Sequence, residues 1–187
     1  MSATARTDIL DLLVADHEAV KKQFASLDKA APEERQPLFC ELVQDLVRHE
    51  VAEEVVLYPT IRLDAPHGDA EAAPRLEEQA AAEEQLAALE KTDPASEEFA
   101  RGLAKLERAV LRHAEAEERE IFPLLRAVED DKERIALGDR YDQAKASAPT
   151  HPHPHAPDTP PGNLLVGPVA AMFDKARDAA RGALGAR

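Results

Sequence analysis

The chain has 187 residues, enough for one domain with a sizeable core and a tail. Its composition, 44% hydrophobic but only 4% aromatic, with no tryptophan and 7 glycines, is that of a helix bundle packed from Leu, Val and Ala. A formal net charge of −14 repels phosphate backbones and anionic lipid headgroups, and the lone Cys40 excludes an intrachain disulfide framework or a cysteine-rich zinc site.

The N-terminal run Met1 to Asp8 has no apolar signal-peptide core, and no stretch of the chain approaches a membrane-spanning length. The expectation is a cytoplasmic protein, a monomer or weak homodimer, with neither nucleic acid nor membrane as partner. Apolar residues at Ile9, Leu13, Val20, Phe24 and Leu27 recur at helical period after Thr7 or Asp8 as N-cap, giving a first helix that ends near Ala30, before Pro32. A second helix carries Leu38, Leu42, Leu46, Val56 and Ile61 and stops before the Asp64-Ala65-Pro66-His67-Gly68 turn. The third runs through Leu76, Ala82, Leu86 and Leu89. The fourth, opened by Asp93 or Ser96 and acids that favour a helix N-terminus, carries Phe99, Leu103, Leu106, Val110, Ile121 and Leu124.

Four amphipathic helices with short connections predict an all-α, antiparallel up-down four-helix bundle over residues 1–128, with a C-terminal helical extension over 129–146 that continues the fourth helix or breaks away near Gly138. Residues 147–167 are rich in proline and histidine and read as an extended linker, where His151, His153 and His155 form at most a loose metal-binding cluster. Residues 168–187, with Val169, Met172, Phe173, Ala176, Ala180 and Leu184, predict a short amphipathic helix with basic flanks, suited to docking on the acidic bundle.

One motif occurs twice. His49-Glu50-Val51-Ala52-Glu53-Glu54-Val55-Val56-Leu57-Tyr58-Pro59 and His113-Ala114-Glu115-Ala116-Glu117-Glu118-Arg119-Glu120-Ile121-Phe122-Pro123 both read H-x-x-x-E-E-x-x-[LI]-[YF]-P. Residues four apart share a helix face, so each copy aims an imidazole and a carboxylate at one point, and two such pairs on facing helices can hold two metal ions. Glu118, next along the motif, is expected to turn away from that point. The apolar stripes are interrupted at the same level on all four helices: His17 between Leu13 and Val20, His49 and Glu53 between Leu46 and Val56, His113 and Glu117 between Val110 and Ile121, and Glu78, Gln79 and Glu83 within the third stripe.

Buried charges need compensation, and a cation supplies it. A plain hydrogen-bonded His/Glu network would need protonated carboxylates or buried bases, yet Arg48, Arg112 and Arg119 flank the stripe and do not share it. Mixed imidazole and carboxylate donors select first-row transition metals over calcium or magnesium. The zincin H-E-x-x-H lacks its second histidine here. The Glu-x-x-His of ferritin-type bundles fails because Leu46 and Val110 stand three residues before the histidines.

With Asp16-His17 in the first helix, these motifs resemble the hemerythrin-like proteins with an HHE cation-binding domain, over residues 8–128. The resemblance implies a pair of iron ions (Fe2+/Fe3+), bridged by carboxylates and an oxo or hydroxo group, on His17, His49, Glu53, His113 and Glu117. The third helix departs from the pattern. Family members commonly carry Glu-His there, whereas this chain has Glu78-Gln79. Glu78 becomes the expected replacement ligand, with Gln79 and Glu83 as rivals and Glu50 as a supporting residue. Fewer nitrogen donors argue against simple dioxygen transport. Tyr58, opposite Phe122 in the other copy, is either a phenolate ligand that favours ferric iron or a packed aromatic.

The function so implied is that of a non-haem di-iron protein that binds and processes hydrogen peroxide, nitric oxide or dioxygen in oxidative or nitrosative stress, by a peroxidase- or catalase-like or nitric oxide-directed reaction. The alternative is an iron or oxygen sensor without turnover.

Overall fold

A computed structural model describes residues 6–152 of the chain. His153, His155, most of the Pro/His-rich segment and the basic C-terminal stretch lie outside the described residues. Helix α1 spans Ile9–Lys29, capped by the Asp8 carboxylate, which accepts from the Leu10 N–H at 2.9 Å. After a 3-10 turn at Pro32–Glu34 come α2 (Arg35–Ala52) and α3 (Tyr58–Asp64), then α4 (Gly68–Leu89). Next are α5 (Glu97–Ala116) and α6 (Phe122–Val128), and finally α7 (Asp131–Ser147).

Between α2 and α3, and again between α5 and α6, one wider turn of π-helix intervenes, at Glu53–Leu57 and at Glu117–Ile121. The two π turns fall at matching positions of the doubled motif, and each sits just before its proline. Pro59 and Pro123 lack the N–H an α-helix needs and would press on the carbonyl four residues back. The chain relieves both by widening a turn, so that Tyr58 and Phe122 donate their N–H groups to Glu53 and Glu117, five residues earlier. Residues five apart then stack on one face, and Tyr58 joins Glu53 on the interior side. The helical run is unbroken through both π turns, so α2–α3 and α5–α6 each count as one rod.

These two rods, α1 and α4 form the up-down bundle, with α1 packed against α2 and α5, and α4 against α3 and α5. The apolar core has two parts. One, towards the α1 C-terminus, includes Phe24, Leu42, Leu86, Phe99 and Leu106. The other, towards the α1 N-terminus, includes Ile9, Leu13, Leu57, Ile61, Phe122 and Leu125. The polar layer lies between them.

The fourth rod ends sooner than the Gly138 expectation allowed. Its break falls at Glu129–Asp130, where the Asp130 carboxylate caps α7 by accepting from the Glu133 N–H at 2.9 Å. Arg134 locks the corner by donating to the Glu129 carbonyl at 2.8 Å and to Asp8 at 2.7 Å. Gly138 instead lies inside α7, where α7 presses on the start of α1. A Cβ there would sit 2.1 Å from the Thr7 carbonyl oxygen, so only glycine permits this approach. α7 therefore runs antiparallel to α2 and packs against both α1 and α2 as a fifth helix. Beyond it, His151 pairs with Glu90 at 2.6 Å. Among the described residues, no helix is long and apolar enough to cross a membrane.

Candidate metal centre

His17, His49, Glu53, Gln79, His113 and Glu117 are all buried at the level between the two apolar halves. The Nε2 of His17 lies 3.3 Å from Glu117 Oε2 and 4.0 Å from Glu53 Oε1. His49 Nε2 is 3.1 Å from Glu53 Oε1, and His113 Nε2 is 3.4 Å from Glu117 Oε1. Tyr58 donates its phenolic proton to Glu117 Oε1, and Gln79 Nε2 donates to Glu53 Oε2 at 2.5 Å.

These groups fit a metal on the evidence of their own geometry. Five of the seven buried side-chain N or O atoms that make no hydrogen bond among the described residues belong to this layer: Nε2 of His17 and of His113, Oε1 of Glu53 and of Gln79, and Oε2 of Glu117. Partnerless buried polar atoms are rare and costly, and five in one layer point to a missing common partner. Donor atoms of His17, His49, Glu53 and Glu117 fall within 4.8 Å of one another. Two donors each about 2.1 Å from one ion and at right angles are about 3 Å apart, close to the His–Glu separations here. The two oxygens of Glu117 face different histidines, His17 and His113.

Each histidine is aimed by a second partner on its other ring nitrogen. Nδ1 of His17 meets Glu118 at 2.9 Å, Nδ1 of His113 meets Glu78 at 3.0 Å, and Nδ1 of His49 meets the Tyr141 hydroxyl at 2.7 Å. With Nδ1 donating, Nε2 presents its lone pair to the centre, the arrangement typical of metal-bound histidine. Glu118 therefore does not turn away from the site, as its position next to Glu117 suggested. α1 brings His17 across to meet it.

The third helix sorts its acids differently from expectation. Glu78, expected to replace a missing histidine, has an exposed carboxylate held by His113 and Arg75. Gln79 is the side chain from that helix that enters the layer, 2% exposed. Glu83 is half-buried beside Glu50, which lines a pocket with His17, His49, Gln79 and His113. That pocket has room for about one water-sized molecule, a volume of ≈ 20 Å³. The two motif aromatics also differ. Phe122 stacks on the His17 ring with centroids 5.9 Å apart, whereas Tyr58 points its hydroxyl at Glu117.

Charge in the layer is strongly coupled. Burial raises Glu117, but His113 and His17 outweigh it and hold the carboxyl well below its ordinary range. Burial together with the nearby Glu117 charge pushes Glu53 up. Burial lowers His113, yet Glu117, Glu53 and Glu78 prevail and hold its ring at about 9. These opposed shifts arise because carboxylates and imidazoles share one buried layer.

The model of the Hemerythrin HHE cation binding domain matches residues 8–125. The chain is 27% identical over 174 residues to an uncharacterized hemerythrin-like protein of Schizosaccharomyces pombe, covering 92% of this chain and 86% of that protein. It is also 29% identical over 120 residues to a DNA nickase of Nostoc, covering 64% of this chain but only 34% of the nickase. A crystal structure of a hemerythrin HHE cation binding domain-containing protein from Mycobacterium kansasii shares the fold, with a TM-score of 0.66 and 24% identity over 75% of this chain and 89% of that one. The doubled motif, the helical architecture with its inward-facing His/Glu layer and the match over residues 8–125 agree: the chain belongs to the hemerythrin HHE cation-binding family.

Proposed function

We propose that the protein is a non-haem di-iron protein that binds and turns over a small redox ligand, with hydrogen peroxide or nitric oxide as the chemical class. The observation that supports it best is the set of partnerless atoms converging from four helices, with Glu117 split between two histidines. On this reading His17, His49, Glu53, His113 and Glu117, with Tyr58 or Gln79, would hold the iron ions. Iron ions so held would supply one- and two-electron redox chemistry.

The remaining roles fall to the chain. Glu118, Tyr141 and Glu78 keep the three imidazoles aimed with Nε2 inward, and Gln79 orients Glu53. Glu50 and the apolar Val20, Leu46 and Val110 wall the pocket beside the layer, whose small volume suits a small ligand. The net charge of −14 opposes duplex binding, and the match to the nickase spans about a third of that protein, so DNA cleavage is not carried over.

The test is rapid mixing of iron-loaded protein with peroxide, with nitric oxide and with dioxygen. The expected result is an absorbance change within the mixing experiment for peroxide or nitric oxide, with repeated turnover. Reversible dioxygen binding without reaction toward the other two would contradict this reading and favour a carrier or sensor.

A further inference from the structure

His49 differs from the other two histidines in what aims it. Glu118 and Glu78, which hold His17 and His113, lie on bundle helices and are partly exposed. His49 is held by Tyr141 on α7, a helix that begins after the family match ends at residue 125. The Tyr141 side chain is fully buried, its hydroxyl donating to Asp16 Oδ2 at 2.7 Å and lying 2.7 Å from His49 Nδ1. The same Asp16 oxygen takes Lys145 of α7 at 2.5 Å. A phenol has one proton to give. With that proton on Asp16, the ring N–H of His49 donates to the phenol oxygen, the nearer of its two acceptors, since Asp16 Oδ2 lies farther off at 3.4 Å; either acceptor keeps Nε2 facing Glu53, and the phenol sets the 2.7 Å contact. α7 is in turn seated by Gly138 on the Thr7 carbonyl and by Arg134 on Asp8.

We propose that α7 is a working part of the metal centre: Tyr141 is a positioning residue for His49, and metal binding at His49 and docking of α7 stabilise each other. By linkage, whatever α7 docking contributes to metal affinity, metal returns to α7 docking. The occupancy of the centre is thereby reported on the outside of the bundle, at the helix that leads into the C-terminal segment. This rests on His49 being a ligand.

The experiment titrates iron(II) anaerobically into full-length wild type, Tyr141→Phe and Gly138→Ala, and follows hydrogen exchange of residues 131–147 with and without iron. Tyr141→Phe keeps the buried ring and so keeps the fold, which circular dichroism checks. Gly138→Ala keeps the phenol but displaces α7. Both variants should bind the His49 ion about 10–100-fold more weakly, while the other ion is less affected. Iron should slow exchange across α7 in wild type and do so less in either variant. Wild-type affinity in Tyr141→Phe, equal weakening of both ions, or exchange of α7 that ignores iron would each overturn the proposal while leaving the metal centre intact. A wild-type protein that takes up no iron would remove the metal reading itself.

Discussion

Replacing His49 or His113 by alanine should strip iron from the protein and lower its melting temperature in the presence of iron. Each change removes an Nε2 donor from the layer and leaves a carboxylate, Glu53 or Glu117, without its 3.1 or 3.4 Å partner. A metal held at a hundred times its dissociation constant adds about 2.7 kcal/mol to stability. Losing that term lowers the melting temperature by about 5–10 °C in a chain of this size. Glu118→Ala should weaken iron about 10–100-fold without abolishing it, since it removes only the group that aims His17. Atomic absorption of the purified variants and thermal melts with and without iron check all three. Full iron content and unchanged melting in both histidine variants would mean that the layer is a structural network only.

The second large effect is expected at Tyr58. Its hydroxyl reaches Glu117 Oε1 from a fully buried position, and the burial, with Glu117 and Glu53 nearby, pushes the phenol far above its ordinary range in the metal-free protein. An adjacent ferric ion inverts that balance, because a hard cation favours the phenolate. Iron-loaded wild type should therefore show a visible charge-transfer band that disappears in Tyr58→Phe while near-complete iron is retained on the histidines and carboxylates. The rate with peroxide or nitric oxide should change with it, as an anionic oxygen donor favours the ferric state. If the spectrum and both rates are the same in the variant, Tyr58 serves only to hydrogen-bond Glu117, much as Phe122 serves only to cover His17.

The residues that converge in the layer were largely legible in the sequence because a helix converts spacing into direction. His49 with Glu53, and His113 with Glu117, are four apart, and His17 interrupts an apolar stripe at the same level. The four-helix pattern followed from the same periodicity. What escaped was tertiary or irregular. The π turns were signalled only by a proline repeated at the end of both motif copies. Their consequence, a Tyr58 hydroxyl facing inward, depends on a hydrogen-bond register that periodicity does not encode. Tyr141 stands 92 residues from His49 in a stretch with weak amphipathic character, so no local pattern links the two. Glu78 and Gln79 are neighbours on one helix, and which of them faces inward turns on the packing of α4 against α5. The family resemblance pointed to the charged residue, while the structure buries the amide and leaves Glu78 outside on His113.

Whether the His/Glu layer holds a pair of iron ions is decided most directly by the metal content of the full-length protein produced with iron supplied, measured together with its near-ultraviolet spectrum. The expected result is close to two irons per chain with intense charge-transfer absorption of an oxygen-bridged ferric pair, since the donors of four helices with a Glu117 split between His17 and His113 exceed what one ion needs. One zinc per chain, or no bound metal at all, would contradict it.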